Sequence, residues 1–324
     1  MKRRSATVLT ALASATAAAL TTMLAFGLPA SAHDGDSAKT GATALGDPDY
    51  GVCRGLDARC YHNWGNFDLS KGVKVLVYTR TPGPRHANLG PALAPGLNPP
   101  LTDANVAQKA MVRLGQENGF TVDWTEDVTQ LATPNALFKY NAVVFLSTSR
   151  DTLDDAAQTS LRQYVRGGGG FVAIHNAFGT EYNFPWYEGL LGGANYYDHG
   201  PAQPGVVQTA DRNDVSTKGL PNRWAFTDEW YNLVPFPTNV RILAKVDEKS
   251  LAKGVKGSMG HPGHGDNHPV AWCQYYDGGR SWVTTLGHEA WAFTNTTTAD
   301  GAAYFQSLIV NGIKSAAGAS PFCR

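Results

Sequence analysis

The segment Gly167–Gly179, GGGGFVAIHNAFG, constrains the fold more than any other stretch of the chain. Four glycines lead into the apolar run Phe171–Ile174, which stops on His175 and breaks at Asn176-Ala177-Phe178-Gly179. A short apolar run bounded by turn signals is the pattern of a strand buried on both faces, as in a parallel sheet covered by helices. In open α/β sheets, ligands sit outside the carboxyl ends of the strands, so His175 stands where chemistry is done. Nucleophile-elbow enzymes place Ser or Cys on such a corner. An imidazole occupies it here, which argues against covalent acyl chemistry.

The first half of the chain repeats this strand-and-helix rhythm. Val73–Thr79, Phe120–Trp124 and Asn141–Ser147 read as buried strands. A helix is expected from Thr102, with Thr102 or Asp103 as its cap, Val106, Ala110 and Leu114 on one face, and Gly119 as its stop. A second helix is expected over Asp154–Arg166. Alternation of this kind implies parallel βαβ units. The second half changes character: Val206–Thr209, Glu229–Val234, Val240–Val246, Val270–Tyr276 and Ser281–Leu286 read as strands, with Asp277-Gly278-Gly279-Arg280 as a hairpin between the last two. Ala299–Ser315 reads as a terminal helix with Ala303, Leu308 and Ile309 buried.

Residues 1–32 read as a secretory signal: Lys2-Arg3-Arg4, an Ala/Leu-rich apolar run, and Ala30-Ser31-Ala32. Residues 33–70 read as a flexible lead-in followed by a cysteine-containing arm, and 71–324 as the α/β domain. Formal net charge is zero, with no basic stripe, which argues against nucleic acid as a partner. No second apolar run approaches spanning length, so no membrane contact is expected once the signal is removed. The expected location is extracellular. Four cysteines, Cys53, Cys60, Cys273 and Cys323, in an oxidising compartment suggest two disulfides. Cys53–Cys60 with Cys273–Cys323 is one pairing, and a tie from Cys53 to Cys323 is its rival.

Polar residues gather at the expected strand ends: His86, His175, Asp198-His199, Asp228-Glu229, and His288-Glu289 with Trp291 beyond. Histidine suits proton transfer near neutral pH and is the commonest metal ligand, and a neighbouring carboxylate can orient its ring or act as the opposite acid. His175, Glu229, His288 and His86 are the expected catalytic residues. His86, His175, His199 and His288 are the expected ligands if a divalent metal such as zinc is bound. A glycine-rich loop with His261, His264, Asp266 and His268 is a second, weaker metal candidate. Trp186, Tyr187, Asp198, His199 and Trp291 are the expected substrate contacts, since flat rings stack on sugar faces.

Five pieces in order resemble the ThuA-like (trehalose-utilisation) family: Tyr78–His86, Gly168–Ala177, Trp186–His199, Thr227–Tyr231 and His268–His288. That family is similar in fold to class I glutamine amidotransferases. The resemblance implies a flavodoxin-like three-layer α/β sandwich with a mainly parallel central sheet, to which the strand-rich second half adds an antiparallel edge. It also implies a link to carbohydrate metabolism. Ile174-His175-Asn176 stands where amidotransferases carry their cysteine, so glutaminase activity does not carry over. The expectation is a secreted enzyme that acts on a small saccharide or oxidised sugar by acid/base or metal-assisted chemistry. The alternative is a non-catalytic carbohydrate-binding protein that uses Trp186, Tyr187, Tyr196 and Trp291. A cysteine amidotransferase would need a reactive thiol at Cys273.

Overall fold

A computed structural model describes residues 50–324. The expected signal segment 1–32 and the start of the lead-in lie outside the described residues. The elements, in chain order, are β1 (Arg54–Gly55), β2 (Val73–Tyr78), α1 (Val106–Asn118), β3 (Phe120–Thr125), α2 (Pro134–Leu137), β4 (Ala142–Leu146), α3 (Asp155–Arg166), β5 (Gly170–Ile174) and α4 (Pro185–Leu190). They continue with β6 (Tyr196–His199), β7 (Gln203–Thr209), β8 (Arg223–Asp228), β9 (Tyr231–Leu233), β10 (Arg241–Val246), β11 (His268–Tyr276), β12 (Gly279–Thr284), α5 (Trp291–Thr294) and α6 (Ala302–Ala316).

The main sheet runs β3-β2-β4-β5-β12-β11-β10-β7-β8. Its first five strands are parallel and the rest antiparallel. Among the parallel five the order is flavodoxin-like, and its direction reverses between β2 and β4, the place where such folds bind ligands. β5 shows why the apolar run is continuous. Val172 and Ile174 enter the core layer shared with α1 and α6, while Phe171 and Ala173 enter the layer shared with α3 and α4. A strand buried on both sides has no solvent face to mark with polar residues.

α3 begins as expected, with the Asp154 carboxylate accepting the Ala157 N–H at 2.8 Å. α1 does not begin at Thr102 or Asp103. Asn105 precedes it, and its side chain accepts from the Thr102 N–H and donates to Leu89 O and Pro91 O, tying the Pro/Gly-rich loop to the helix. The expected strand over Glu229–Val234 is replaced by two elements. β8 ends at Asp228, and β9 pairs with β6 in a separate two-stranded sheet. In α6, Leu308 and Ile309 are buried but Ala303 is only half-buried. The hairpin stands as expected, with positive φ at both Asp277 (45°) and Gly278 (93°), as a tight two-residue turn requires.

Cys53 pairs with Cys60, and Cys273 with Cys323. Cys273 therefore offers no thiol for attack. The arm packs on the sheet: β1 pairs with β11, and Tyr61 stacks between Tyr275 and the Arg280 guanidinium.

Candidate active site

Backbone geometry puts His175 at the bottom of the site. It directly follows β5, is fully buried, and adopts a left-handed conformation (φ 56°). That conformation is uncommon for a residue with a Cβ, and is the same kind of strained corner that presents a nucleophile in elbow enzymes. Nδ1 lies 2.9 Å from the Thr285 carbonyl. A carbonyl can only accept, so Nδ1 carries the proton and Nε2 turns its lone pair into the site. Three groups crowd that lone pair: His86 Nε2 at 3.0 Å, Tyr231 Oη at 3.0 Å and Glu229 Oε2 at 3.9 Å.

His86 comes from the long loop after β2, which Arg85 fixes by binding the carbonyls of Leu89, Gly90 and Pro91 and the Glu126 carboxylate. His288 comes from the turn after β12. Gly287 before it has φ 123°, and a Cβ there would press on Phe305 and Ile174 at 3.2 and 3.3 Å. Glu229 comes from the far end of the sheet. The antiparallel half curls back until Phe226 of β8 packs on Phe305 and Trp291, so the end of β8 meets the turn after β12. Asp228 fastens that junction. Its buried carboxylate accepts the N–H groups of Gly287 at 2.8 Å, Glu229 at 2.9 Å and His288 at 3.2 Å.

Glu229 Oε2 then lies 3.1 Å from His288 Nδ1 and 3.5 Å from His199 Nε2. Although close, His288 Nδ1 makes no hydrogen bond, and neither does His86 Nδ1, also a buried atom. Burial, then the neighbouring His86 and His288, hold His175 well below the usual imidazole range. Burial and His288 push His86 down to about 4. Burial alone would raise Glu229, but the contact with His288 and the charges of His199 and His86 outweigh it and keep the carboxyl low. For His288 burial also opposes charge, yet Glu229, Asp228 and Glu289 together raise it. The site thus combines two imidazoles biased toward the neutral form with one carboxylate and one imidazole biased toward their charged forms. His86, His175, Glu229 and His288 each offer one ligand atom, all within 4.8 Å of one another, a set able to hold a divalent ion.

The cluster opens into a cavity of about 610 Å³, within the range of small-molecule sites. His86, His199, Glu229 and Tyr231 line it. Other expected contacts lie elsewhere. Trp186 and Tyr187 are buried in the core layer under α3 and α4, where the indole donates to Asp277 and the phenol to the Ala177 carbonyl. Trp291 packs on Phe226. Asp198 is fully buried and accepts from Asn232 and from the Met259 and His261 N–H groups, so it anchors a wall of the cavity. Amphipathic rings next to polar residues did not distinguish wall from core, because aromatic residues fill both. Tyr182, Tyr196 and Tyr197 line the cavity beside Tyr231. The loop with His261, His264 and His268 is held internally: His268 binds Glu248 and the Tyr231 carbonyl, and His264 accepts the Leu233 N–H. Among the described residues it forms no metal-binding group of the kind the His86 set does.

Two features of the site went unread in the sequence. Tyr231 contacts His175 directly, and Asp228 organises the turn that carries His288. Both sit in the Thr227–Tyr231 motif, whose unusual density of polar groups was the available signal.

A flavodoxin-like parallel sheet with a histidine on the elbow in place of a cysteine defines a class related to the amidotransferase fold but lacking its nucleophile. Residues 74–314 match the ThuA family, described as trehalose utilisation, and the chain belongs to that family. It is similar to a ThuA-like protein from Bacteroides uniformis, with 22% identity, a TM-score of 0.57, and coverage of 75% of this chain and 91% of that one. A ThuA-like protein from Parabacteroides merdae gives 20% identity, a TM-score of 0.55, and coverage of 76% and 91%. A cytoplasmic protein from Salmonella typhimurium LT2 gives 12% identity, a TM-score of 0.50, and coverage of 75% and 99%. At these identities the likeness shows the fold alone. No curated protein matches the chain.

Proposed function

We propose that this protein is an exported enzyme acting on a saccharide or an oxidised sugar derivative, with His86, His175, Glu229 and His288 as its reactive centre. One observation carries the reading: residues from four distant segments place their donor atoms within 4.8 Å of each other, and two of them, His86 and Glu229, line a cavity of sugar size. Family membership supports the substrate class, and two disulfides support an oxidising compartment.

The donor set fits a divalent cation. Four ligands about 2.05 Å from a tetrahedral zinc stand roughly 3.3 Å apart. The His86–His175 and His288–Glu229 approaches, 3.0 and 3.1 Å, are close to that edge length, while His175 and Glu229 stand 3.9 Å apart and the whole set spans 4.8 Å, so an ion would draw it together. When bound, such an ion would polarise a sugar carbonyl or lower the pKa of a water. This chain's own residues hold His175 in one tautomer through Thr285, keep Glu229 ionised, and set the Tyr231 hydroxyl beside them as a proton donor. His199, 3.5 Å from Glu229, orients the carboxylate from the cavity side.

The test is elemental analysis of the purified protein together with thermal shifts across neutral and oxidised sugars. The expected result is about one zinc-like ion per chain, lost in His175→Ala and Glu229→Gln, and stabilisation by at least one sugar. A metal-free protein that turns over a sugar would leave proton transfer as the chemistry. A protein that neither binds nor converts sugars would overturn the proposal. The non-catalytic reading predicts that His175→Ala holds its sugar with wild-type affinity and that the wild type leaves it unchanged.

A further inference from the structure

The turn after β4, Ser147-Thr148-Ser149-Arg150, joins the cavity at the point where the parallel strand order reverses, yet none of its residues belongs to the His/Glu cluster. Ser147 and Arg150 both adopt left-handed backbone (φ 48° and 63°), and Arg150 is fixed there by its N–H bond to Gly179 O at 2.8 Å and a bridge to Thr180. Non-glycine residues held in this region cost free energy, and such positions cluster at functional sites. Ser149 lines the cavity, is 1% exposed, and its Oγ has no hydrogen-bond partner. A buried hydroxyl without a partner carries a penalty that a ligand can relieve. Among the described residues, Arg150 is the one Lys or Arg lining the cavity. Arg150 is exposed; among the described residues its guanidinium meets no carboxylate and lies over the face of Tyr182, 6.0 Å from the ring centroid.

We propose that Arg150 and Ser149 form a subsite for the carboxylate of an acidic sugar, a uronate or a sugar acid, whose reacting carbon faces the His/Glu cluster. The inference rests on the saccharide reading of the cavity and narrows it. An unpartnered guanidinium is the group best suited to a carboxylate, and a hydroxyl supplies a second donor. The Glu229 carboxylate lines the same cavity, so like-charge repulsion turns the acid end of the ligand away from the cluster and toward Arg150. A phosphate is the rival anion: the N–H groups of Ser147 and Arg150 are spent on Ile174 O and Gly179 O, and the titration below separates the two. The tyrosines Tyr182, Tyr196 and Tyr197 supply flat walls for the ring.

Isothermal titration of the intact protein with glucuronate, galacturonate, glucose, galactose and glucose 6-phosphate tests this. At least one uronate should bind about tenfold or more tightly than its neutral counterpart, with a dissociation constant that rises with salt. Arg150→Gln should remove that preference, weakening the uronate about tenfold while moving the neutral sugar less than twofold, and Ser149→Ala should weaken the uronate about threefold. Neutral sugars binding as tightly as uronates would overturn the subsite and leave the saccharide reading standing, and so would Arg150→Gln weakening both equally. Tighter binding of glucose 6-phosphate than of either uronate would overturn the carboxylate assignment. Absence of binding by every sugar would overturn the saccharide reading as well.

Discussion

Asp228→Asn should make the protein relatively more stable as pH rises while lowering its activity. The Asp228 carboxylate is fully buried and accepts three backbone N–H groups, from Gly287, Glu229 and His288. Burial pushes its carboxyl from 3.8 up to about 7, against the pull of those N–H groups and of His288. A group that titrates higher in the folded state than in the unfolded one binds its proton more tightly when folded. Its stabilising contribution is complete below about pH 4 and is lost as pH rises through about 7. A shift of roughly three pH units is worth about 4 kcal/mol at 1.36 kcal/mol per unit. Asparagine does not titrate. It keeps Oδ1 for Glu229 and His288 but turns an amide toward the Gly287 N–H, a donor facing a donor at a cost of about 1–3 kcal/mol. Protonated aspartic acid presents an O–H on the same atoms, so the two side chains should be nearly equivalent at pH 5. Urea unfolding at pH 5 and pH 8 measures the difference directly. Between those values, which span about two of the three units, the stability gap should move toward the variant by about 2–3 kcal/mol, while sugar turnover at pH 8 falls at least about tenfold because His288 and Gly287 shift. A gap that stays constant with pH, or moves toward the wild type, would show that burial does not raise the Asp228 carboxyl.

Other outcomes follow from the same contacts. Replacing both Cys273 and Cys323 with serine opens a loop with a sequence separation of 50 and should cost about 4 kcal/mol in denaturant unfolding, against about 2 kcal/mol for the Cys53–Cys60 pair with its separation of 7. Gly287→Ala forces a side chain onto φ 123° and against Phe305 and Ile174, so it should destabilise by about 1–3 kcal/mol and weaken ion or ligand binding at His288, checked by calorimetry. Tyr231→Phe removes the hydroxyl 3.0 Å from His175 but keeps the buried ring. Turnover should fall about tenfold with a melting temperature within a few degrees of wild type, and an unchanged rate would exclude the hydroxyl from the reaction.

The parallel half of the sheet was legible because buried strands and amphipathic helices write opposite periodicities. Val73–Tyr78, Ala142–Leu146 and Gly170–Ile174 fall within the expected runs, and Gly119 ends α1 in the left-handed conformation. The antiparallel edge was read less well. β8 alternates buried Trp224, Phe226 and Asp228 with more exposed neighbours, yet it was missed because its polar end, Thr227-Asp228-Glu229, looked like a beginning rather than an end. His86, His175, Glu229 and His288 were readable as a polar set at strand ends. Their meeting was not, because it depends on the curl that carries β8 back onto α5 and α6, a long-range packing event without a local signature. For the same reason Trp186 and Tyr187 could not be separated from Tyr182 and Tyr196, since only the layer they enter decides whether a ring meets solvent or core.

If His175 and its three neighbours act together on a sugar, loss of His175 alone should halt conversion. Proton NMR of a saccharide that stabilises the protein, incubated with the wild type and with His175→Ala, tests this most directly. The wild type should convert the sugar, while the variant should still bind it but convert it at least about a hundredfold more slowly. Equal conversion by both proteins would contradict it.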